Sequence, residues 1–401
     1  MKKTLIFLLL TLILIITITG IIFIKNQNTA STEAPTIEWE KAFGKGEGNS
    51  VIQTKDGGYV LTGWSASSKD GSDVFLSKFN KYGNQLWFKT YTGNGYSSGH
   101  CVIEVNNGNF LIVGETKSKY GYDHDVYVVK TDKNGNRIWE KTYGGSRCDY
   151  GWSVIQTKDG FAVAGGTESF GAGIYDVYLI KIDSSGKEIW QKTYGGKESD
   201  CGYALQQDND GGFIIAGNSA SFGTGTKNPK VYLIKTDSNG KLIWQKTYGG
   251  KGCDYAWSLI KSYDNGYLIA GEKEIITNQG GGFASYLIKT DHNGNKLWEK
   301  TYGDSTSNSA YAVCHAKNGG YIFTGKKETN KNGYDINIVK TDKNGNRIWE
   351  KEIEGRGFNC GYGIFQANDG GYVIAGRKGT DKNSESSILL IKLKPQNSFI
   401  F

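Results

Sequence analysis

Short apolar runs separated by Gly, Asp and Asn fill the chain from residue 37 to residue 394. Each run is rich in Val, Ile, Tyr and Trp and has the length of a β-strand. Residues 152–195 show four of them in order: WSVIQT, FAVAG, DVYLIKID and EIWQKTYG. No stripe of apolar residues with helical spacing interrupts this pattern. The pattern therefore predicts an all-β domain.

The four runs return as a unit of about 50 residues, a period typical of repeat architectures. One part of the unit resembles TDKNGNRIWEKTYGG and the other SVIQTKDGGYVLTG. Its copies contain the tryptophans Trp39, Trp87, Trp139, Trp190, Trp244, Trp298 and Trp349. Asp-Gly or Asn-Gly pairs join the first run to the second, and segments such as DKNGN join the third to the fourth. Such pairs favour tight hairpins, so each copy predicts a four-stranded antiparallel sheet.

The two ends of the repeat region are incomplete in complementary ways. The first copy begins with IEWEKAFG, a fourth strand alone, and the last copy ends with SILLIKLK, a third strand without its fourth. Third runs such as YLIKT are apolar along their length, so each sheet needs a neighbour on both faces. We therefore predict a seven-bladed β-propeller, in which residues 37–43 complete the last blade beside residues 388–394.

The N-terminal segment differs from the rest of the chain. Residues 5–24 carry no charge and are long enough to cross a bilayer as one helix, and Lys2 and Lys3 precede them. We predict a signal anchor or transmembrane helix over residues 1–25, a tether over 26–36 and the propeller over 37–401. The propeller is then outside the cytoplasm on a single-pass anchor. It is secreted if the segment is cleaved.

Charge and cysteine content exclude some classes of protein. Three of the 47 basic residues precede the tether, so the rest of the chain has 44 basic and 40 acidic residues. This nearly balanced charge gives no reason to expect nucleic-acid binding. Blades 2 to 7 contain one cysteine each: Cys101, Cys148, Cys201, Cys253, Cys314 and Cys360. None forms a C-x-x-C pair, so we expect no metal site. Buried free thiols and disulfides between blades both remain open. We expect a monomer.

Comparison of the seven copies separates two kinds of loop. The first-to-second and third-to-fourth turns are short and nearly constant, whereas the second-to-third and blade-to-blade loops vary in length and content. Because strands alternate in direction, all the variable loops emerge at one end of the disc, the variable face, and the constant turns at the other, the turn face. Loops that vary on a rigid scaffold are where binding residues collect, so we place any site on the variable face.

One position at the start of the first strand is aromatic in most copies. Its occupants are Asn49, His100, Trp152, Tyr203, Trp257, Tyr311 and Tyr362. The first strand of a propeller blade lines the central channel, so these side chains are candidate ligand contacts at the channel mouth. Packing between blades would place one ring per copy equally well, and both interpretations stay open.

Three residues earlier, most copies have a carboxylate or an amide. The set is Gly46, Ser97, Asp149, Asp200, Asp254, Asn308 and Asn359. If these side chains project inward, rings flanked by hydrogen-bonding oxygens suit a sugar, whose C–H faces stack and whose hydroxyls need partners. The alternative is that Asp and Asn cap the local backbone before a tight bend.

Signals for catalysis are weak. Gly95-Tyr96-Ser97-Ser98-Gly99 matches G-x-S-x-G, but that motif requires a strand-to-helix elbow, which is absent from this pattern. The four histidines have no metal-ligand spacing. Glycoside cleavage needs two acids across one sugar, and Asp149, Asp200 and Asp254 are the candidates if they share a pocket.

The motifs DxNGxxxW and GGYVLTG resemble two groups of repeats. The first is similar to the repeats of PQQ-type quinoproteins and their non-enzymatic relatives, and the second to the delta-60 type repeats of bacterial surface proteins. The resemblance spans residues 37–394 and implies an exported bacterial or archaeal propeller. Seven copies and no adjacent cysteine pair argue against a quinone cofactor, and we expect none. Our functional hypothesis is a membrane-anchored, non-catalytic propeller that binds a glycan or a surface protein. The alternatives are an exported carbohydrate-active enzyme and a structural scaffold of the envelope.

Overall fold

The chain folds as a seven-bladed β-propeller, as the repeat predicts. A computed structural model describes residues 33–66, 71–118, 123–223, 227–277, 280–303, 306–317, 319–329, 333–380 and 385–396. Within these residues 28 strands form seven separate four-stranded antiparallel sheets, the blades. In every blade the strands follow one another in sequence order from the channel outwards, except where the ring closes.

The strands of the first blades are short and regular. The chain begins with β1 (Ile37–Phe43). Blade 1 contains β2 (Gly46–Gln53), β3 (Tyr59–Ala66), β4 (Ser72–Phe79) and β5 (Gln85–Tyr91). Blade 2 contains β6 (Ser98–Glu104), β7 (Phe110–Lys117), β8 (His124–Thr131) and β9 (Arg137–Tyr143), with a 3-10 turn at Asn106–Gly108. Blade 3 contains β10 (Asp149–Thr157), β11 (Gly160–Thr167), β12 (Asp176–Asp183) and β13 (Glu188–Tyr194).

The later blades repeat this plan. Blade 4 contains β14 (Asp200–Gln207), β15 (Phe213–Ser219), β16 (Lys230–Thr236) and β17 (Leu242–Tyr248). Blade 5 contains β18 (Asp254–Lys261), β19 (Tyr267–Thr277), β20 (Gly280–Thr290) and β21 (Lys296–Tyr302). Blade 6 contains β22 (Asn308–His315), β23 (Tyr321–Thr329), β24 (Gly333–Thr341) and β25 (Arg347–Ile353). Blade 7 contains β26 (Cys360–Gln366), β27 (Tyr372–Gly379) and β28 (Ser386–Leu393).

The ring closes as the incomplete copies predict. β1 pairs antiparallel with β28, from Ile37 opposite Leu393 to Phe43 opposite Ile388, and becomes the outer strand of blade 7. Ion pairs support the seam, with Glu40 Oε1 2.6 Å from Lys378 Nζ. Both ends of the propeller therefore stabilise blade 7, and β28 is paired along both of its edges.

The repeated tryptophan of the fourth strand packs between blades. In the first six copies the indole lies against the glycine of the next blade's third-to-fourth turn, so that a Cβ on that glycine would stand about 3 Å from the ring. The tyrosine that ends five of these strands binds the same glycine. Tyr194 Oη, for example, donates to the carbonyl of Gly240 at 2.5 Å. Five blades therefore fix the next blade at one turn through both packing and a hydrogen bond.

Some predictions concern residues outside the described ranges. The predicted membrane helix over residues 1–25 and most of the tether are among these. In the described ranges, no helix has the length and hydropathy needed to cross a membrane. The six cysteines are all free thiols in this structure; Cys360 is buried and the other five are half-buried.

Candidate functional site

A β-bulge at the start of every first strand builds the channel mouth. The pairing of β2 with β3 skips from Gly48 to Ser50, and the other six first strands skip at the equivalent place. The skipped residues are Asn49, His100, Trp152, Tyr203, Trp257, Tyr311 and Tyr362, the position identified from the sequence. A bulge bends the strand and redirects its unpaired side chain. Here all seven redirected side chains line one cavity on the channel axis.

An invariant glycine in the second strand makes this bulge possible. A Cβ added to Gly114 would lie 1.8 Å from the carbonyl oxygen of Ser98, and the same clash, at 1.7 to 1.9 Å, arises at the equivalent glycine of every blade. No side chain fits such a contact, because the carbonyl of the residue two positions before the bulged residue lies directly against the facing strand. The glycine of each TG, VG or AG pair is therefore tied to the geometry of the channel mouth.

The six rings at the bulges form a continuous ladder around the channel. Neighbouring ring centroids are separated by 4.1 Å for His100–Trp152, 5.4 Å for Trp152–Tyr203, 4.8 Å for Tyr203–Trp257, 6.1 Å for Trp257–Tyr311 and 5.3 Å for Tyr311–Tyr362. Asn49, which takes the place of a ring in blade 1, is tied to blade 2, since its Nδ2 donates to the carbonyl of Gly99 at 2.9 Å. The rings are half-buried. They therefore pack on one another and also present an aromatic surface to the cavity.

The cavity is asymmetric around the channel axis. It encloses about 700 Å³, within the range of small-molecule sites. Above the ladder, its walls come from blades 1 and 2: Glu47, Trp64, Gly71, Ser72, Tyr96, Ser98 and Glu115. In blades 3 and 5, by contrast, Tyr150 and Tyr255 stack on the tryptophans of the ladder with interplanar angles of 27° and 13°. Among the described residues, the polar groups that line the cavity above the ladder therefore lie on one side of the channel.

The charged groups of this pocket are held in pairs. Arg377 Nη1 donates to Glu47 Oε1 at 2.6 Å, and His100 Nε2 lies 3.3 Å from Glu115 Oε2. Burial acts to raise the pKa of Glu115, but His100, with a weaker contribution from His124, lowers it overall. Glu115 is therefore a carboxylate at neutral pH, ready to accept hydrogen bonds from a ligand.

The carboxylates and amides predicted beside the rings lie elsewhere. Asp149, Asp200, Asp254, Asn308 and Asn359 are at most 3% exposed, and none lines the cavity. Asp200 is representative: its Oδ2 accepts from the amide of Gly196 at 2.8 Å and from Ser221 Oγ at 2.6 Å. The structure therefore uses these groups to join the blade-to-blade loop to the second-to-third loop, the capping alternative left open by the sequence. A shared pocket for Asp149, Asp200 and Asp254 does not form.

Sequence reasoning missed the polar wall of the cavity. Trp64 and Glu115 come directly after the invariant glycine of the second strand, where the other copies have Gly166, Asn218, Glu272, Lys326 and Arg377. This position therefore changes chemistry in almost every copy although the glycine before it is constant. The contrast between this variable position and the constant glycine before it was available in the sequence. It indicates the channel mouth only when the bulge of the first strand is known from the structure.

Comparison with known proteins places the fold and its repeats. Regulatory protein FlaEY of Caulobacter vibrioides is 26% identical over 337 residues, which cover 75% of this chain but 29% of FlaEY. The chain thus spans less than a third of that relative's length.

Several solved propellers share the architecture at low sequence identity. The polysaccharide lyase Uly1 matches with a TM-score of 0.54 and 9% identity, over 87% of this chain and 90% of its own. The Pan2 WD40 domain of Neurospora crassa matches at 0.52 and 13%, over 86% and 89%. YCF48 bound to D1 peptide matches at 0.51 and 11%, over 91% and 99%. At these identities the likeness shows the fold alone.

The repeats themselves match a family model. The model described as outer membrane protein assembly factor BamB, PQQ_2, matches residues 176–378. This confirms the resemblance to PQQ-type repeats. The match covers half of the chain, which therefore belongs to the PQQ_2 family of BamB-like propeller repeats.

Proposed function

We propose that this protein is a non-catalytic binding propeller that holds a carbohydrate in the channel-mouth cavity. The observation that carries the proposal is the one-sided pocket, in which a ladder of six rings forms the floor and polar groups of blades 1 and 2 form the wall. A sugar stacks its C–H face on aromatic rings and satisfies its hydroxyls with oxygen and nitrogen acceptors and donors.

The wall supplies acceptors suited to hydroxyl groups. Glu47 and Glu115 each keep a carboxylate oxygen near the cavity, and Ser98 contributes a hydroxyl beside them. Their side chains are 15% and 19% exposed for the two glutamates, so they are largely fixed before a ligand arrives. Fixed acceptors reduce the entropy lost on binding, which favours a specific orientation of the ligand.

The charge state of Glu115 does not fit the acid of a glycosidase. A glycosidase acid must be protonated near neutral pH, which requires a raised pKa. Glu115 has a lowered pKa instead. The candidate acids from the sequence, Asp149, Asp200 and Asp254, are occupied by loop hydrogen bonds and lie outside the cavity. The carbohydrate-active enzyme therefore ranks second.

We also propose a cellular location for the protein. The uncharged run at residues 5–24, preceded by Lys2 and Lys3, supports a single-pass anchor with the propeller outside the cytoplasm. In that position the variable face can meet glycans of the cell surface. Retention in the membrane fraction after an alkaline wash is expected, and release into the wash would contradict the anchor.

Glycan-array binding of the purified full chain tests the ligand class. Trp152→Ala removes a ring of the floor and is expected to weaken binding by at least about tenfold, the loss typical of an anchor residue in a pocket. Trp257→Ala, on the opposite side of the floor, is expected to weaken binding less because the polar wall is at blades 1 and 2.

Two variants serve as controls. Tyr82→Ala removes an exposed ring on the turn face and is expected to leave binding unchanged. Asp200→Asn disturbs a loop bond but not the cavity, and it is expected to lower stability without changing affinity. Binding of no glycan by the folded wild type would refute the proposal and favour a protein partner or a scaffold. Release of reducing sugar from a polysaccharide panel, lost in an Asp variant, would favour the enzyme.

A further inference from the structure

A lysine recurs in the third strand of every blade, near the turn face, and it is buried in every blade except blade 2, where Lys130 is half-buried. The seven residues are Lys78, Lys130, Lys181, Lys235, Lys289, Lys340 and Lys392. In five blades the ammonium binds the aspartate of the first-to-second turn in the same blade: the Nζ–Oδ distances are 2.7 Å to Asp56, 2.6 Å to Asp159, 2.7 Å to Asp210, 2.7 Å to Asp264 and 2.7 Å to Asp369. The repeat therefore builds a lysine pocket that is normally filled by a carboxylate.

Blade 2 has the lysine but lacks the carboxylate. Where blade 1 has Thr54 and Asp56, blade 2 has Val105 and Asn107. Within the described residues, Lys130 Nζ donates to the carbonyl of Ser184 in blade 3, at 2.9 Å. An ammonium has three protons to donate, so two directions are open to a further acceptor.

Blade 6 shows what happens when an outside group substitutes for the aspartate. Its turn has Asn318 in the sequence, and Lys340 is fully buried. Gln396, from the segment after the last strand, brings its Oε1 to 2.7 Å from Lys340 Nζ. Burial lowers the pKa of Lys340 to about 8, as expected for an ammonium whose partner is an uncharged amide. An oxygen from beyond the blade can therefore enter this pocket.

The space beside Lys130 is large enough for a small ligand. A cavity of about 350 Å³ lies between blades 2 and 3, lined by Lys130, Lys158, Asn107, Asn109 and the ring of Phe161, whose centroid is 5.5 Å from Lys130 Nζ. Asp159 also lines the cavity, but its Oδ1 is bound to Lys181 at 2.6 Å and to Thr157 Oγ1 at 3.0 Å. The unpaired charge in the cavity is therefore positive.

We infer that this cavity, on the turn face and separate from the channel mouth, binds a small carboxylate. The ligand would give Lys130 the carboxylate partner that the turn aspartate provides in five sibling blades, with the side-chain amides of Asn107 and Asn109 as further donors. Hydrogen bonds between an ammonium and a carboxylate are stronger than hydrogen bonds between neutral groups, so they favour binding in a partly buried site.

Titration with sodium acetate tests the site directly. The full chain is titrated at constant ionic strength, and backbone amide shifts of residues 105–109 and 157–160 are followed by NMR. Saturable shifts in the millimolar range are expected. Asn107→Asp supplies the missing carboxylate within the chain, so it is expected to weaken acetate binding at least about tenfold and to raise the thermal midpoint. Lys130→Met is expected to abolish binding.

The matched control adds the same charge at another turn of the same face. Asn209 is exposed in blade 4, and its Oδ1 accepts from Lys261 Nζ at 2.9 Å. Asn209→Asp is expected to leave acetate binding unchanged. Absence of saturable shifts in the wild type, or unchanged affinity in Asn107→Asp, would overturn the inference. Binding of inorganic phosphate without acetate would overturn the assignment to a carboxylate.

Discussion

Substitution of Gly240 by alanine tests the contact that joins one blade to the next. Gly240 lies in the turn between β16 and β17, and its φ is +75°. A Cβ there would stand 2.9 Å from two carbons of the Trp190 ring and 2.9 Å from Lys192 Cγ, both in blade 3. The lysine stem can move aside, whereas the indole is held in its own packing.

Two effects add in this variant. An alanine in the left-handed region costs about 1–2 kcal/mol. Forcing a methyl group against a packed ring costs a further 1–3 kcal/mol, about the range for overpacked cores. The free energy of unfolding is therefore expected to fall by about 2–5 kcal/mol.

Gly211→Ala is the matched control in the same blade and on the same face. Its φ is +82°, but the nearest atom to an added Cβ is Ser238 Cβ at 3.8 Å. It is therefore expected to show only the backbone cost of about 1–2 kcal/mol. The difference between the two variants isolates the contact with Trp190.

Urea denaturation followed by tryptophan fluorescence gives the comparison. The midpoints of both variants are measured, together with the slope, which must stay constant for the free energies to be compared. In a Trp190→Ala background the excess loss from Gly240→Ala is expected to disappear, because the two residues then no longer collide. Equal losses for Gly240→Ala and Gly211→Ala in the wild-type background would refute the blade-to-blade packing described here.

Two further predictions concern the ring closure and pH. Deletion of residues 37–43 removes the outer partner of β28 and leaves only its pairing with β27, so the thermal midpoint is expected to fall sharply, and an unchanged midpoint would rule out the clasp. Burial acts to raise the pKa of Asp264, but hydrogen bonds from Lys289, Ser262 and Gly266 lower it to about 2, against an ordinary 3.8. A lowered pKa stabilises the fold above the ordinary value, and this contribution is lost as the pH falls towards 2. The Asp264 side chain is 61% exposed, so Asp264→Asn is expected to cost about 0.5–1 kcal/mol at pH 7 after screening. The urea midpoints of the wild type and of Asp264→Asn are expected to converge as the pH falls towards 2. A difference between the two midpoints that stays constant with pH would contradict a stabilising role for the Asp264–Lys289 pair.

The blade plan was available from the sequence because it depends on local chemistry. Alternating strand and turn residues fixed four strands per copy, and the glycine pairs fixed the hairpins between them. The incomplete first and last copies even predicted the partner of β1. Such features repeat seven times, so each copy confirms the interpretation of the others.

The candidate site was predicted only in part. The rings from His100 to Tyr362 were identified by aligning the copies. Their shared cavity, however, depends on a bulge that the residues of the first strand do not predict. The aspartate position was equally regular in the sequence, yet its side chains turn into the loops. The two positions are three residues apart, an odd number, and successive side chains of a strand point to opposite faces, so the rings reach the channel while the carboxylates and amides do not.

By itself, then, the sequence determined the number of blades, their strand order and the way in which the circle closes, since these follow from patterns within and between copies. The tertiary structure alone decided which side chains meet. Glu47 and Glu115 come from different blades, and the lysine of blade 2 differs from its siblings only through what surrounds it. Contacts of this kind are set by the curvature of the ring and by bulged backbones, which join residues that no spacing along the chain relates.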